Sequence, residues 1–150
     1  MSEARSMLET RAQRYQHWVC EEGYRAQDPV WDDAADTWDV HVKYEGVTLI
    51  IVFDVDDAGF VRILMPNFWA VEPAALGPAL LALDLANKKC KCAKVNLNAR
   101  RDDTTASVEF LDHGDEMRAA TLLRYLAMVV NAARFFASAM QEQVESMQSA

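Results

Sequence analysis

Three kinds of side chain in this sequence could carry chemistry: thiols, grouped carboxylates and grouped cations. Cys90 and Cys92 form a C-x-C pair, with no second pair and no histidine close by in sequence. Structural zinc takes four ligands and usually has two or more residues between paired thiols. The pair therefore reads as two ordinary cysteines at the start of a strand. A nucleophilic thiol needs a base, and the base has only to meet it in space. Cys20 with His17 or His41 is the pairing the chain allows, but nothing in its spacing favours it. His17 falls on the polar side of a helix, beside Gln13 and Glu21, as a solvated histidine would.

The carboxylates group twice. Asp28, Asp32, Asp33 and Asp36 share one connector, but they lack the fixed spacing of a hard-cation loop. Asp54, Asp56 and Gly59 fit the first, third and sixth positions of a calcium loop. Its fifth position is Ala58, however, and its twelfth, where a bidentate Glu belongs, is Met65. That segment is expected to be a hairpin turn. The cations gather at Lys88, Lys89, Lys91, Lys94, Arg100 and Arg101. No aromatic residue interleaves them for base stacking, so a patch facing an acidic protein or a second subunit fits better than RNA. Glycine-rich phosphate cradles, H-E-x-x-H and G-x-S-x-G are all missing. The expectation is no enzyme: no catalytic residues, no cofactor and no metal.

These residues must be held by a fold that the hydropathy pattern describes. Val47–Val55 is apolar at seven of nine positions and rich in β-branched residues. It is too short for a membrane span and lacks a helical period, so it is predicted to be a strand buried on both faces. Before it, Trp38, Val40, Val42 and Tyr44 alternate with polar residues, giving a half-buried strand. After it, Asp56–Gly59 turns into a third strand, Phe60–Met65. The first helix covers residues 3–22. Its stripe is Ala4, Leu8, Ala12, Tyr15 and Val19, with Ser2 as cap and Gly23 as stop. Residues 24–37 read as a connector.

Phe68 and Trp69 lie in the link after the third strand, where they are either lids over the core or a binding patch. A second helix is predicted from Pro78 to about Lys88, largely covered. Two more strands follow, around residues 93–100 and 105–110. Asp112–Asp115 offer caps to a terminal helix over about 115–145. On that helix Leu122, Leu126, Val129, Ala133, Phe136 and Met140 make the face for the sheet. Leu123, Val130 and Ala137 widen it on one side, and Tyr125, Met128, Ala132 and Phe135 on the other. One sheet cannot cover so wide an arc, which implies a second surface, either another subunit or a client.

The prediction is an α+β fold in one domain, residues 1–150, in the order α-β-β-β-α-β-β-α. An antiparallel sheet of about five strands is flanked by helices. Fifteen basic against twenty-three acidic residues give a net charge of −8, which repels nucleic acid and anionic lipid at long range. Composition, with 51% hydrophobic and 25% charged residues, is that of an ordinary globular protein. No signal-like segment and no apolar run of spanning length is read from the sequence, and an odd number of cysteines argues against a disulfide framework. The expected setting is cytoplasmic.

Residues 83–98, LDLANKKCKCAKVNLN, together with the element order, resemble the YbjN family. That family is described as candidate bacterial sensory transduction regulators, similar in fold to class I type III secretion chaperones. The family pattern is a helix ending in L-N-x-x-N, a short basic link, a lysine and an alternating strand. Asn87 and Lys94 match it, and Asp84 stands where the family often has Asn. The resemblance implies a homodimeric α+β protein without catalytic residues. Through the secretion chaperones, it implies binding of an extended polypeptide segment.

The leading expectation is therefore a non-enzymatic, chaperone-like or regulatory protein-binding module. It would act as a homodimer that grips an extended or amphipathic client, with no nucleic acid and no membrane. Candidate interface residues are Phe68, Trp69, Leu123, Met128, Val130 and Phe135. The alternatives are a small-ligand-sensing regulatory domain and, behind it, a cysteine- or metal-dependent enzyme.

Overall fold

A computed structural model describes residues 2–112 and 117–149. The chain is α+β. Helix α1 is Glu3–Glu21, and it is followed by strands β1 (Arg25–Ala26), β2 (Val30–Asp32), β3 (Thr37–Tyr44), β4 (Val47–Asp54) and β5 (Phe60–Met65). A 3-10 turn, Pro73–Ala75, leads into α2 (Leu76–Lys89), then β6 (Lys94–Leu97), β7 (Thr104–Leu111) and α3 (Ala119–Gln148). The seven strands form one sheet in the order β1-β3-β4-β5-β7-β6, with β2 also paired to β3. The residues group into two compact units: 1–64 with 109–126, and 65–108 with 127–150.

In the first unit, α1 starts and stops where its sequence says it should. The Ser2 hydroxyl accepts from the Arg5 N–H at 3.2 Å, satisfying one of the orphan donors of the first turn. Gly23 takes φ +86°, and Tyr24 N–H reaches back to the Val19 carbonyl at 3.2 Å, closing the helix in the left-handed manner. β3 and β4 pair antiparallel in the register Trp38↔Phe53, Val40↔Ile51 and Val42↔Leu49. Glu45 and Gly46 connect them with φ +47° and +85°, the two positive values that a tight hairpin loop of matching twist requires. Leu8, Ala12, Tyr15 and Val19 of α1 and Val40, Val42, Leu49, Ile51 and Phe53 of the strands are all fully buried.

The structure corrects three expectations here. β4 is not buried on both faces: Leu49, Ile51 and Phe53 are enclosed, while Ile50 and Val52 are only half-covered. The stretch 24–37 is not a plain connector, because β1 and β2 pair with opposite ends of β3 as Arg25↔Lys43 and Val30↔Asp39. Pro29 sits between them, on an edge where its missing N–H costs no ladder bond. These two short strands bring the antiparallel sheet to seven, where about five were expected.

Asp112, the first of the residues expected to offer caps, is 1% exposed and accepts from the Tyr15 hydroxyl at 2.6 Å. The rest of the expected cap, through Asp115, and the expected start of the last helix fall on residues 113–116, outside the described residues.

In the second unit, α2 begins two residues before Pro78, which is tolerated because the first turn's N–H groups have no intrahelical partner. Ala79, Ala82 and Ala86 are its buried residues. The part of α3 in this unit buries Val129, Val130, Ala132, Ala133, Phe136 and Met140. By length and composition alone, Ala119–Met147 is apolar enough to cross a membrane, against the expectation of no such run. Only 39% of its most apolar window is buried, and Arg124, Asn131, Arg134 and Ser138 mark an exposed polar strip.

Candidate functional site

Among the described residues, no three His, Cys, Asp or Glu side chains gather as a metal would require. All three cysteines are free thiols. Burial pushes the Cys90 thiol up, with Lys94 pulling more weakly the other way, the reverse of what activates a thiolate. The Cys20 sulfur receives the Gln16 amide at 3.6 Å, and His17 lies 3.2 Å from Glu21 on the solvent side of α1.

The acidic groups have local work. Asp32 Oδ1 accepts from the N–H groups of Ala34 and Ala35 at 2.8 and 3.3 Å, and Asp54 Oδ1 from that of Asp56 at 2.9 Å. Both are turn-forming carboxylates. Within the cationic segment, Lys88 pairs with Asp84 at 2.6 Å across one helical turn. Lys94 donates to the Asn87 carbonyl at 3.2 Å.

What the second unit does present is apolar surface, and its location differs from the sequence expectation. α2 is not largely covered. Its alanine stripe faces inward, and Leu80, Leu81 and Leu85 are exposed, Leu81 by 57%. Small residues let a helix approach its support closely, which turns the long side chains outward. Beside α2 runs α3, and the two flank a groove of about 290 Å³ lined by Leu85, Ala86 and Lys89 on one bank and Phe135, Ala139 and Glu142 on the other. A second concavity of about 380 Å³ is lined by Ala74, Ala75 and Pro78 with Val144 and Met147.

The sequence-derived interface candidates separate. Phe135 is 47% exposed and sits in the α2–α3 groove. Phe68 and Trp69 are half-buried and set edge-on against Phe136, with ring centroids 5.7 and 6.1 Å away. Leu123 and Met128 are half-buried. Val130 is 2% exposed, so it belongs to the chain's own core and has no surface to offer. The α2 leucines were not among the candidates. The signal that finds them is the spacing of Ala79, Ala82 and Ala86, three and four residues apart, which marks a narrow buried stripe.

The α+β fold of this chain is shared with known structures. An uncharacterized protein from Methanothermobacter thermautotrophicus superposes with a TM-score of 0.68 at 14% identity, over 87% of this chain and 96% of that one. YbjN from E. coli, a candidate transcription regulator, superposes with a TM-score of 0.57 at 14% identity, over 87% of this chain and 91% of its own. The likeness is one of fold, and it agrees with the architecture that residues 83–98 and the element order resemble. No protein-family model and no curated protein sequence matches the chain.

Proposed function

We propose that this chain is a non-enzymatic protein-binding module, chaperone-like or regulatory, acting as a homodimer that binds an extended or amphipathic polypeptide segment. The observation that carries this reading is the exposed apolar surface of the second unit, Leu81 and Leu85 on α2, with Leu85 facing Phe135 across the α2–α3 groove. Leu81 and Leu85 stand one helical turn apart, the spacing with which an apolar helix face meets a partner. Side chains of this size left in water are a standing source of association free energy, at about 25 cal/mol per Å² of apolar area buried.

The net charge of −8 would draw cationic client segments and repel acidic ones. The fold shared with YbjN supports the regulatory version of the reading. Light scattering tests it: a dimer at micromolar concentration, and a defined polypeptide retained on the immobilised protein, are the expected results. A monomer at every concentration that retains nothing overturns the reading.

A further inference from the structure

On the face of the sheet opposite α1, β1 and β3 place two cations directly across from each other: Arg25 pairs with Lys43 in the ladder. Directly opposed residues of an antiparallel pair hold their Cβ atoms about 4.5–5.5 Å apart, and like charges there destabilise the sheet. The placement is unexpected in a chain with twenty-three acidic and only fifteen basic residues. Neither side chain makes an ion pair among the described residues. Lys43 Nζ instead donates to the Thr48 hydroxyl at 2.5 Å, and Thr48 is its partner across the β3–β4 ladder.

The two cations border a concavity of about 420 Å³, lined also by Gln27, His41 and Thr48 and by no carboxylate. His41 lies two residues from Lys43 on the same side of the strand, and the Gln27 N–H donates to the His41 carbonyl at 2.9 Å, which ties the segment after β1 to β3. The lining residues thus include an arginine, a lysine, a threonine, a histidine and a glutamine beside Ala26 and Val42. The polar ones among them all offer hydrogen-bond donors.

We infer that this hollow binds the phosphoryl group of a small phosphorylated molecule. A phosphate dianion neutralises both cations at once and offers oxygens in several directions, where a carboxylate brings one charge in one plane. The volume exceeds what a phosphate fills, leaving room for the group that carries it. The inference is independent of the protein-binding reading, because the hollow belongs to the first unit and the apolar groove to the second.

The test is a titration of the full chain with inorganic phosphate and with glycerol phosphate at constant ionic strength, followed through backbone amide resonances. Saturating shifts at Ala26, Gln27, Lys43 and Thr48 are expected, with the ester binding more tightly than phosphate. Arg25→Gln and Lys43→Gln should each weaken binding by about tenfold or more. Both positions are exposed. Either change should also raise the melting temperature of the unliganded protein, because it relieves the opposed charges. Shifts that never saturate, or curves unchanged in the double variant, mean an adventitious ion only and overturn the site. A fall in melting temperature for both variants overturns its premise.

Discussion

Asn87 on α2 exchanges two hydrogen bonds with the main chain of Val95 on β6. Its Nδ2 donates to the Val95 carbonyl at 2.9 Å, and its Oδ1 accepts from the Val95 N–H at 2.8 Å. β6 ends the strand order, so its outer edge has no ladder partner. A carboxamide offers one donor and one acceptor side by side, as a peptide group does, and here it stands in for the missing strand. The α2-to-β6 link, with its basic residues, is held at both ends by this residue, because Lys94 also donates to the Asn87 carbonyl.

Asn87→Ala leaves both Val95 groups without their partner, and a loss of about 2–3 kcal/mol in unfolding free energy is expected. Asn87→Asp keeps the acceptor but sets a carboxylate against the Val95 carbonyl, so it should not restore the loss. Urea denaturation of the two variants measures this directly. A change under about 0.5 kcal/mol for both would show that water replaces the side chain without cost.

Tyr15 and Asp112 form a second such tie, inside the first unit. The phenol donates to Asp112 Oδ2 at 2.6 Å, with Arg11 Nε 3.9 Å and Arg14 Nη2 4.0 Å from the same oxygen. Burial first, and then the hydrogen bond and charge of Asp112, hold the phenol well above the usual tyrosine range. Above pH of about 10 the unfolded phenol ionises while the folded one keeps its proton, so this group's contribution is full below that pH and is lost as pH rises further. Tyr15→Phe should cost about 1.5–3 kcal/mol near neutrality. The gap to the unaltered protein should narrow above pH of about 10. A gap independent of pH would sink the assignment.

The elements with a clear period were legible in the sequence, because one period fixes one face. α1 shows this in Leu8, Ala12, Tyr15 and Val19, and β3 in its strict alternation. β1 and β2 were not, since two and three residues are too short to display a period, and their pairing with β3 depends on the path of the chain. Ile50 and Val52 made β4 look enclosed on both sides, yet apolar side chains do not reveal which face a sheet leaves partly open. On α2 the leucines outweighed the alanines in hydrophobicity, and that ordering hid which stripe is buried. Close approach to the support selects the small residues. The broad apolar arc of α3 led to Val130 for the same kind of reason: breadth of apolar surface does not say how much of it the chain itself covers.

Asp39 supplies a prediction of opposite sign. It is half-buried on β3, and burial pushes its carboxyl up, while the Thr37 hydroxyl, donating at 2.9 Å, opposes the shift. An acid raised in this way favours the folded state only while protonated, so its contribution is present below pH of about 4 and is lost as pH rises through its folded value. Asp39→Asn keeps the acceptor for Thr37 and removes the buried charge. It should raise the melting temperature at neutral pH and leave it unchanged near pH 3 (roughly one unit below the ordinary aspartate value). Equal effects at both pH values would mean that the charge is not the cause.

The α2 leucines allow the binding reading to be separated from the fold. Leu81 and Leu85 are exposed, so replacing both with lysine removes little buried area, and a stability change within about ±0.5 kcal/mol is expected. At an interface the same change sets two ammonium groups against an apolar partner surface. The proposed dimer should then weaken by about a hundredfold or more, since each charge buried without a partner costs well over 1 kcal/mol. Met7 on α1 is a matched control, at 47% exposed but in the other unit. Sedimentation of Leu81→Lys/Leu85→Lys as a folded monomer, with Met7→Lys still dimeric, places the contact on the α2–α3 groove. If the doubly altered protein remains a dimer of unchanged affinity, the exposed leucines are not where the two copies meet.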